Sequence, residues 1–258
     1  MDPVAAPIGA LVTEAPACDA LPVYTHPMWR DRHPWLVQGI TAAGDGDVPF
    51  NLGLFTDEAA HRVLERWRQL GAELGVASAV HARQPHEATV RHHGTGAPGL
   101  HLSEACDGHL TRVAGRLLGV TVADCVPVTL VCPDRRAVAV VHAGWRGAAK
   151  GIAEAALRAF EYRLDVGPSR LEAHLGPAIC GACYEVGPEV HEGLGLPVPD
   201  RPEPVDLRRA LAVRLVAAGV PASAVTRSSW CTRCGDSPFF SHRGGHAGRQ
   251  VAFAGIRA

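Results

Sequence analysis

No stretch of about 18 apolar residues occurs anywhere in the chain of 258 residues, so the sequence predicts no membrane span. The opening Met-Asp-Pro has no basic n-region, and Asp19 and several prolines interrupt the apolar run behind it, so no secretory signal is expected. A cytoplasmic protein is the default expectation, and its eight cysteines then read as thiols or ligands, not as a disulfide framework. Charge of one sign is also lacking. A formal net charge of -1 leaves no broad basic field for nucleic acid and no basic helix for a membrane surface. Walker and dinucleotide fingerprints are absent. No histidine has a glutamate two positions later, so the His-x-Glu signature of zinc nucleobase deaminases is missing. Methionine is scarce: Met1 and Met28 stand far from every motif below, and His92-His93 is the sole adjacent histidine pair. Type 1 copper favours two His, a Cys and an axial Met, so copper ranks below zinc. There is no repeat and no low-complexity linker, which predicts one domain following a loose Ala- and Pro-rich arm at 1–22.

What is present is a chain 47% hydrophobic, ample for a sizeable core. Residues 35–40 read as a strand. Asp57 to Leu74 has apolar residues at helical spacing behind an acidic start, and 76–81 reads as a short strand ending in His81. Residues 83–100 are polar and Gly-rich, which suggests a loop. The centre carries three buried-strand patterns, 120–122, 126–131 and 137–141, followed by HAGWRG and a helical pattern from Ala148 to about Phe160. A strand over 171–175, a helix over 206–218 with Gly219 as its stop, and a strand near 223–230 complete a mixed α and β pattern.

Four groups of residues carry candidate chemistry. Asp124-Cys125 lies between two buried strand patterns, and His142 begins the turn after the next one. Neighbouring strands can bring the thiol and the imidazole together, and that pair suits zinc. The competing reading is a small buried cysteine, but a carboxylate beside it is costly unless paired or functional. HAGWRG (142–147) combines glycines that allow close backbone approach with Arg146, a clamp for phosphate; a solvated strand-to-helix turn is the plainer reading. Cys180–Cys183 and Cys231–Cys234 are two C-x-x-C pairs that could share one structural zinc, although a long segment with its own helix separates them. Near the C-terminus, FFSHRGGHAGR (239–249) sets Ser241, Arg243 and Arg249 among glycines, as an anion or sugar contact or as a solvated tail.

Taken in order, TVADCVPV (121–128), VVHAGWRGAAKGI (140–152), LGPAICGACYEVGPEV (175–190), CTRC (231–234) and FFSHRGGHAGRQVAFAGI (239–256) resemble the laccase-domain or polyphenol oxidase family, also described as YfiH-type purine nucleoside phosphorylases. NLGLFTDE (51–58), with Asn51, is similar to the family's Asn-Leu-Gly segment. The resemblance runs from about residue 35 to the end and implies an α/β fold, a layered sandwich with a mixed β-sheet flanked by helices, as a single domain over 23–258.

The resemblance also implies a metal site. Its ligands are the His of a Gln-Val-His-Gly motif, the Cys of Asp-Cys and the His of HAGWRG, which fall on His81, Cys125 and His142. The first motif is altered here to Ala79-Val80-His81-Ala82, and His86 is the nearest alternative. Two His and a Cys leave a fourth zinc position open, the pattern of a catalytic site. The implied activities are phosphorolysis of adenosine, inosine and methylthioadenosine, and deamination of adenosine. Older descriptions imply a copper-dependent polyphenol oxidase, and the resemblance further implies, through one bacterial branch, a link to editing of misincorporated peptidoglycan precursors. On this reading purine nucleoside and phosphate are the partners of a monomer or small homo-oligomer. Asp124, Cys125 and Arg146 are the catalytic candidates, and Asn51, Arg146, Ser241, Arg243 and Arg249 the substrate-binding ones. A non-enzymatic module held by zinc on the C-x-x-C pairs is the third class of reading.

Overall fold

The structure is a computed structural model that describes residues 8–45 and 48–258. Its centre is a pair of seven-stranded sheets packed face to face. The first sheet runs Ala10–Val12, Val225–Ser228, Glu172–Leu175, Val126–Cys132, Ala137–Ala143, Gly108–Thr111 and Val90–His93, in spatial order. The second runs Ala15–Pro16, Val23–Thr25, Leu36–Thr41, Gln250–Ile256, Arg116–Val122, Ser78–Ala82 and Gly99–Ser103. Both mix parallel and antiparallel pairs.

Side-chain alternation builds the layers. Along Val126–Cys132, residues Val126, Val128, Leu130 and Cys132 face the helices Ile152–Leu164 and Leu207–Ala217, while Val131 turns to the other sheet. On the second sheet Leu118, Val120 and Val122 point between the sheets, and Leu117 points outward against Trp67 of the helix Ala60–Glu73. Strands covered on both faces read as continuous apolar runs, which is why the centre of the chain was legible. The result is a four-layer sandwich, helix, sheet, sheet, helix.

Several expectations need correction. The segment 8–22 is not a loose arm: Ala10–Val12 pairs in parallel with Val225–Ser228, and Ala15–Pro16 pairs with Val23–Thr25. It is held by a buried polar knot, in which Glu14 accepts from His174 Nε2 and from Ser228 Oγ, each at 2.7 Å. Polar anchoring leaves no apolar period to read. The part of the expected arm at 1–7 lies outside the described residues. Residues 83–100 are not one loop, because Val90–His93 and the start of Gly99–Ser103 form the edge strands of the two sheets. Half-exposed edges lack the signature of a buried strand. The helical pattern from Ala148 is broken at Gly151, whose φ of +82° starts a new helix at Ile152.

Candidate metal centre and its surroundings

Cys125 and His142 meet because of strand register. The antiparallel pairing of Val126 with Ala143 and Pro127 with His142 places Cys125 at the same end of the first sheet as the HAGWRG turn. Asp124, with φ of +80°, bends the chain as it passes from the second sheet to the first. The third member of the cluster is His86. Ligand atoms of His86, Cys125 and His142 all lie within 4.8 Å of one another, and the two imidazoles meet edge to face at 4.8 Å between centroids.

His81, expected as the first ligand, is not in this cluster. On Ser78–Ala82 the parity that sends Val80 between the sheets sends Ala79 outward, and His81 with it. There its ring packs against Trp67 and Phe55, with Nδ1 3.0 Å from the Gly119 carbonyl oxygen. Burial pushes its pKa down to about 4, so it is a neutral core histidine. The family's Gln-x-His pattern survives five residues on, as Gln84-Pro85-His86. Gln84 donates to the Thr121 carbonyl at 2.8 Å and accepts from the Thr121 amide at 2.8 Å, pinning the segment that carries His86 to the second sheet.

Asp107 was not anticipated. Fully buried, it accepts from His142 Nδ1 at 2.9 Å and from the His86 amide at 3.0 Å on one oxygen, and from the Glu87 amide at 2.7 Å on the other. One carboxylate thus shapes the His86 loop and takes the Nδ1–H of His142, so that Nε2 is the ring nitrogen left to face Cys125. No motif marks Asp107; the sequence signal was only an acidic residue next to Cys106 in an otherwise ordinary segment.

The electrostatics favour a ligand thiolate. Burial opposes ionisation of Cys125, but the charge of His142 and hydrogen bonds from His142 and His86 outweigh it and bring the pKa to about 6. Burial likewise opposes charge on His142, yet the Cys125 thiolate and Asp107 raise it to about 9. Gly144 leaves little room: a Cβ there would lie 3.0 Å from Cys125 Sγ and 3.1 Å from His86 Cδ2, so those two side chains would have to give by a few tenths of an ångström. The donor set, one thiolate and two oriented imidazoles, fits zinc and also fits copper.

The other candidates divide. Arg146 is exposed, stacked 4.5 Å from the Trp145 ring centroid, on a helix of a single turn, Trp145–Ala149. Arg243 lies over Tyr184 at 5.5 Å. Tyr184 is held protonated, pushed up to about 12 by burial and by the nearby Cys125 thiolate, while Arg243 and Arg146 oppose that shift. Tyr184 is thus within electrostatic reach of Arg243, Arg146 and Cys125, and the Arg243 amide is tied to Asp124, the chain neighbour of Cys125. Asp124 spends both oxygens locally, accepting from Thr232 Oγ1 at 2.5 Å and from the Arg243 amide at 2.6 Å. Asn51 and Arg249 form a separate knot: Asn51 Oδ1 accepts from the Arg249 and Gly53 amides, each at 2.9 Å, and the Arg249 guanidinium folds onto the carbonyls of 246–248. Ser241 is buried, and its Oγ accepts from the Gly244 amide at 2.9 Å. Asn51 lines a cleft of about 550 Å³ with Glu58, Arg62, Phe240 and His246; none of His86, Cys125 and His142 lines it.

Fold and cluster together define a double-sheet α/β sandwich with a His–Cys–His metal-competent end. The chain is matched by the family model of multi-copper polyphenol oxidoreductase laccase over residues 45–257, and it belongs to that family. It is 35% identical to the purine nucleoside phosphorylase YlmD of Geobacillus stearothermophilus over 248 residues, 86% of this chain and 90% of the relative. It is 37% identical to adenosine deaminase RL5, from an unknown prokaryotic organism, over 80% of this chain and 86% of that one. The crystal structure of YlmD from Geobacillus stearothermophilus superposes with a TM-score of 0.83 at 30% identity, covering 94% of this chain and 98% of that one. Among the described residues no helix is long and apolar enough to cross a membrane.

Proposed function

We propose that the chain is a zinc-dependent purine nucleoside phosphorylase, converting adenosine, inosine or methylthioadenosine and phosphate to free base and ribose 1-phosphate, with adenosine deamination as a second activity. The observation that carries this reading is the convergence of His86, Cys125 and His142 beside Arg146, Arg243 and Tyr184. The names of the relatives, a purine nucleoside phosphorylase and an adenosine deaminase, support the same substrate class.

His86, Cys125 and His142 would hold the metal, which would supply Lewis acidity and acidify a water when bound. Asp107 holds His142 in the tautomer that ligation needs. Arg146 and Arg243 offer guanidinium forks to a phosphate. Tyr184, kept protonated, is a hydrogen-bond donor to a substrate oxygen or ring nitrogen. Asp124 acts through other groups: its bonds to Thr232 and to the Arg243 amide place the loop from which Arg243 reaches the site.

The test is a nucleoside panel given to the zinc-loaded protein with and without phosphate. Free base that appears only with phosphate, and inosine formed from adenosine without it, are the expected products. Absence of any nucleoside turnover removes the reading. Stoichiometric copper with oxidation of phenols would replace it with the oxidoreductase that the family's description suggests.

A further inference from the structure

The two C-x-x-C pairs lie outside the mechanism, yet the fold brings all four together. Sγ atoms of Cys180, Cys183, Cys231 and Cys234 lie within 4.8 Å of one another, with Cys180 and Cys234 at 3.9 Å. A tetrahedral ion with sulfur ligands at about 2.3 Å sets them about 3.8 Å apart. Four sulfurs this close leave room for one atom, not for a multinuclear cluster.

The backbone around them is arranged for a thiolate. Cys231 Sγ accepts from the amides of Cys180, Arg233 and Cys234 at 3.3, 3.4 and 3.5 Å. Amides aimed at one sulfur stabilise its charged form. Ala178 and Cys231 form a parallel bridge, reinforced by the Thr232 amide donating to the Ala178 carbonyl at 3.2 Å. The two cysteine segments are therefore held side by side by main-chain bonds that do not depend on a metal. Cations flank the group. Arg208, buried beneath the loop, donates to the carbonyls of Ser228 and Trp230, and its charge also faces Cys231, Cys180 and Asp206. Arg233 donates to the Cys183 carbonyl at 3.2 Å. Such charges offset the net negative charge of four thiolates around a divalent ion.

We propose that Cys180, Cys183, Cys231 and Cys234 form a second, structural zinc site, a closed tetrathiolate distinct from the His86–Cys125–His142 cluster. Its position gives it a consequence. One side clamps the segment leading to Tyr184, and the other clamps the segment carrying Thr232, whose hydroxyl holds Asp124 beside Cys125. The ion staples together two of the loops that frame the first cluster, and all four of its positions are filled by protein, so it has no open face for substrate.

X-ray absorption at the zinc edge, combined with metal analysis of the full chain purified under reducing conditions, tests this without any variant. Two zinc ions per chain with a mean of about 2.5 sulfurs per zinc are expected, since one site supplies four sulfurs and the other one. A single zinc with about four sulfurs also supports the tetrathiolate, and removes zinc from the function proposed above. About one sulfur per zinc overturns it, as does mass spectrometry finding the four cysteines joined as disulfides, or stoichiometric iron in their place. The double substitution C183S/C234S is expected to remove one zinc per chain and Cys125→Ala the other. Full zinc retention in the double variant would refute the assignment.

Discussion

Replacing Asp107 with asparagine perturbs the candidate site while leaving every proposed ligand in the sequence. The carboxylate accepts three hydrogen bonds, two on the oxygen shared by His142 Nδ1 and the His86 amide and one on the oxygen facing the Glu87 amide. Asparagine offers one acceptor oxygen and one NH2. The better orientation keeps the shared oxygen and turns the NH2 against the Glu87 amide, a donor facing a donor in a fully buried position. The lost bond and the unsatisfied amide together cost about 1–3 kcal/mol. In a chain of this size that lowers the melting temperature of the metal-free protein by about 2–12 °C. The larger effect falls on the metal. Without a negative charge behind it, the His142 imidazole is a poorer base, and loss of such a partner weakens metal binding by about 10- to 100-fold. Competition with a chromophoric chelator measures the affinity, and a thermal melt of the metal-free protein measures the stability. Zinc affinity within about twofold of the parent, with an unchanged melt, would refute the role given to Asp107.

Gly144→Ala is expected to weaken metal binding by about tenfold or more, because its Cβ would crowd Cys125 Sγ and His86 Cδ2. The melt should barely move, since φ of -74° at Gly144 is ordinary for alanine. His81 titrates near 4 when folded and near its ordinary 6.5 when unfolded. Between those values the unfolded chain binds the extra proton, so stability is lost as pH falls from 6.5 toward 4 and is intact above 6.5. His81→Leu should remove about 1.4 kcal/mol per pH unit from that acid slope, read from denaturant unfolding at several pH values; an unchanged slope would show that His81 is not buried as a neutral ring. Arg146→Ala and Arg243→Ala should each raise KM for phosphate by about tenfold or more, the equivalent of one charge-assisted hydrogen bond of about 1.5–3 kcal/mol. The phosphate-independent deamination of adenosine should be much less affected, and equal loss of both activities would place these arginines elsewhere. Trp67→Ala should cost about 3–5 kcal/mol in an unfolding titration, because its ring fills the space over Gly119 and its Nε1 donates to the Leu52 carbonyl at 2.9 Å.

The site was legible where ligands end strongly patterned strands. Cys125 and His142 flank apolar runs whose register follows from a hairpin with a short connection, Pro133–Arg135. The choice between His81 and His86 was not legible in the same way. His81 lies on the strand Ser78–Ala82 and His86 comes four residues after its end, and the difference is one of direction: strand parity turns His81 onto the helix side, while His86 sits beyond the strand with φ of +63°. Attention to the glutamine two residues before His86 would have found it. Asp107 escaped because its partners are 20, 21 and 35 residues away, and nothing local marks a buried carboxylate as an acceptor for three distant donors. Asn51 and Arg249 were picked out by pattern, but the fold spends their side chains on nearby loops: Asn51 on Thr56, Glu58 and the amides of Gly53 and Arg249, and the Arg249 guanidinium on the carbonyls of 246–248.

Local composition, acting through nearest neighbours, was enough to set the central strands, the helices Ala60–Glu73 and Leu207–Ala217, and the presence of a thiol and an imidazole suited to a metal. Burial of alternate side chains and helical spacing are properties of a few consecutive residues, so they can be read from the string of letters. What only the assembled sandwich decided is which distant groups touch. It set His86, and not His81, beside Cys125 and His142, placed Asp107 behind His142, and closed a gap of about fifty residues to bring Cys180 and Cys183 against Cys231 and Cys234. Those meetings depend on how two sheets stack and where their connections cross, and no period in the sequence encodes that distance.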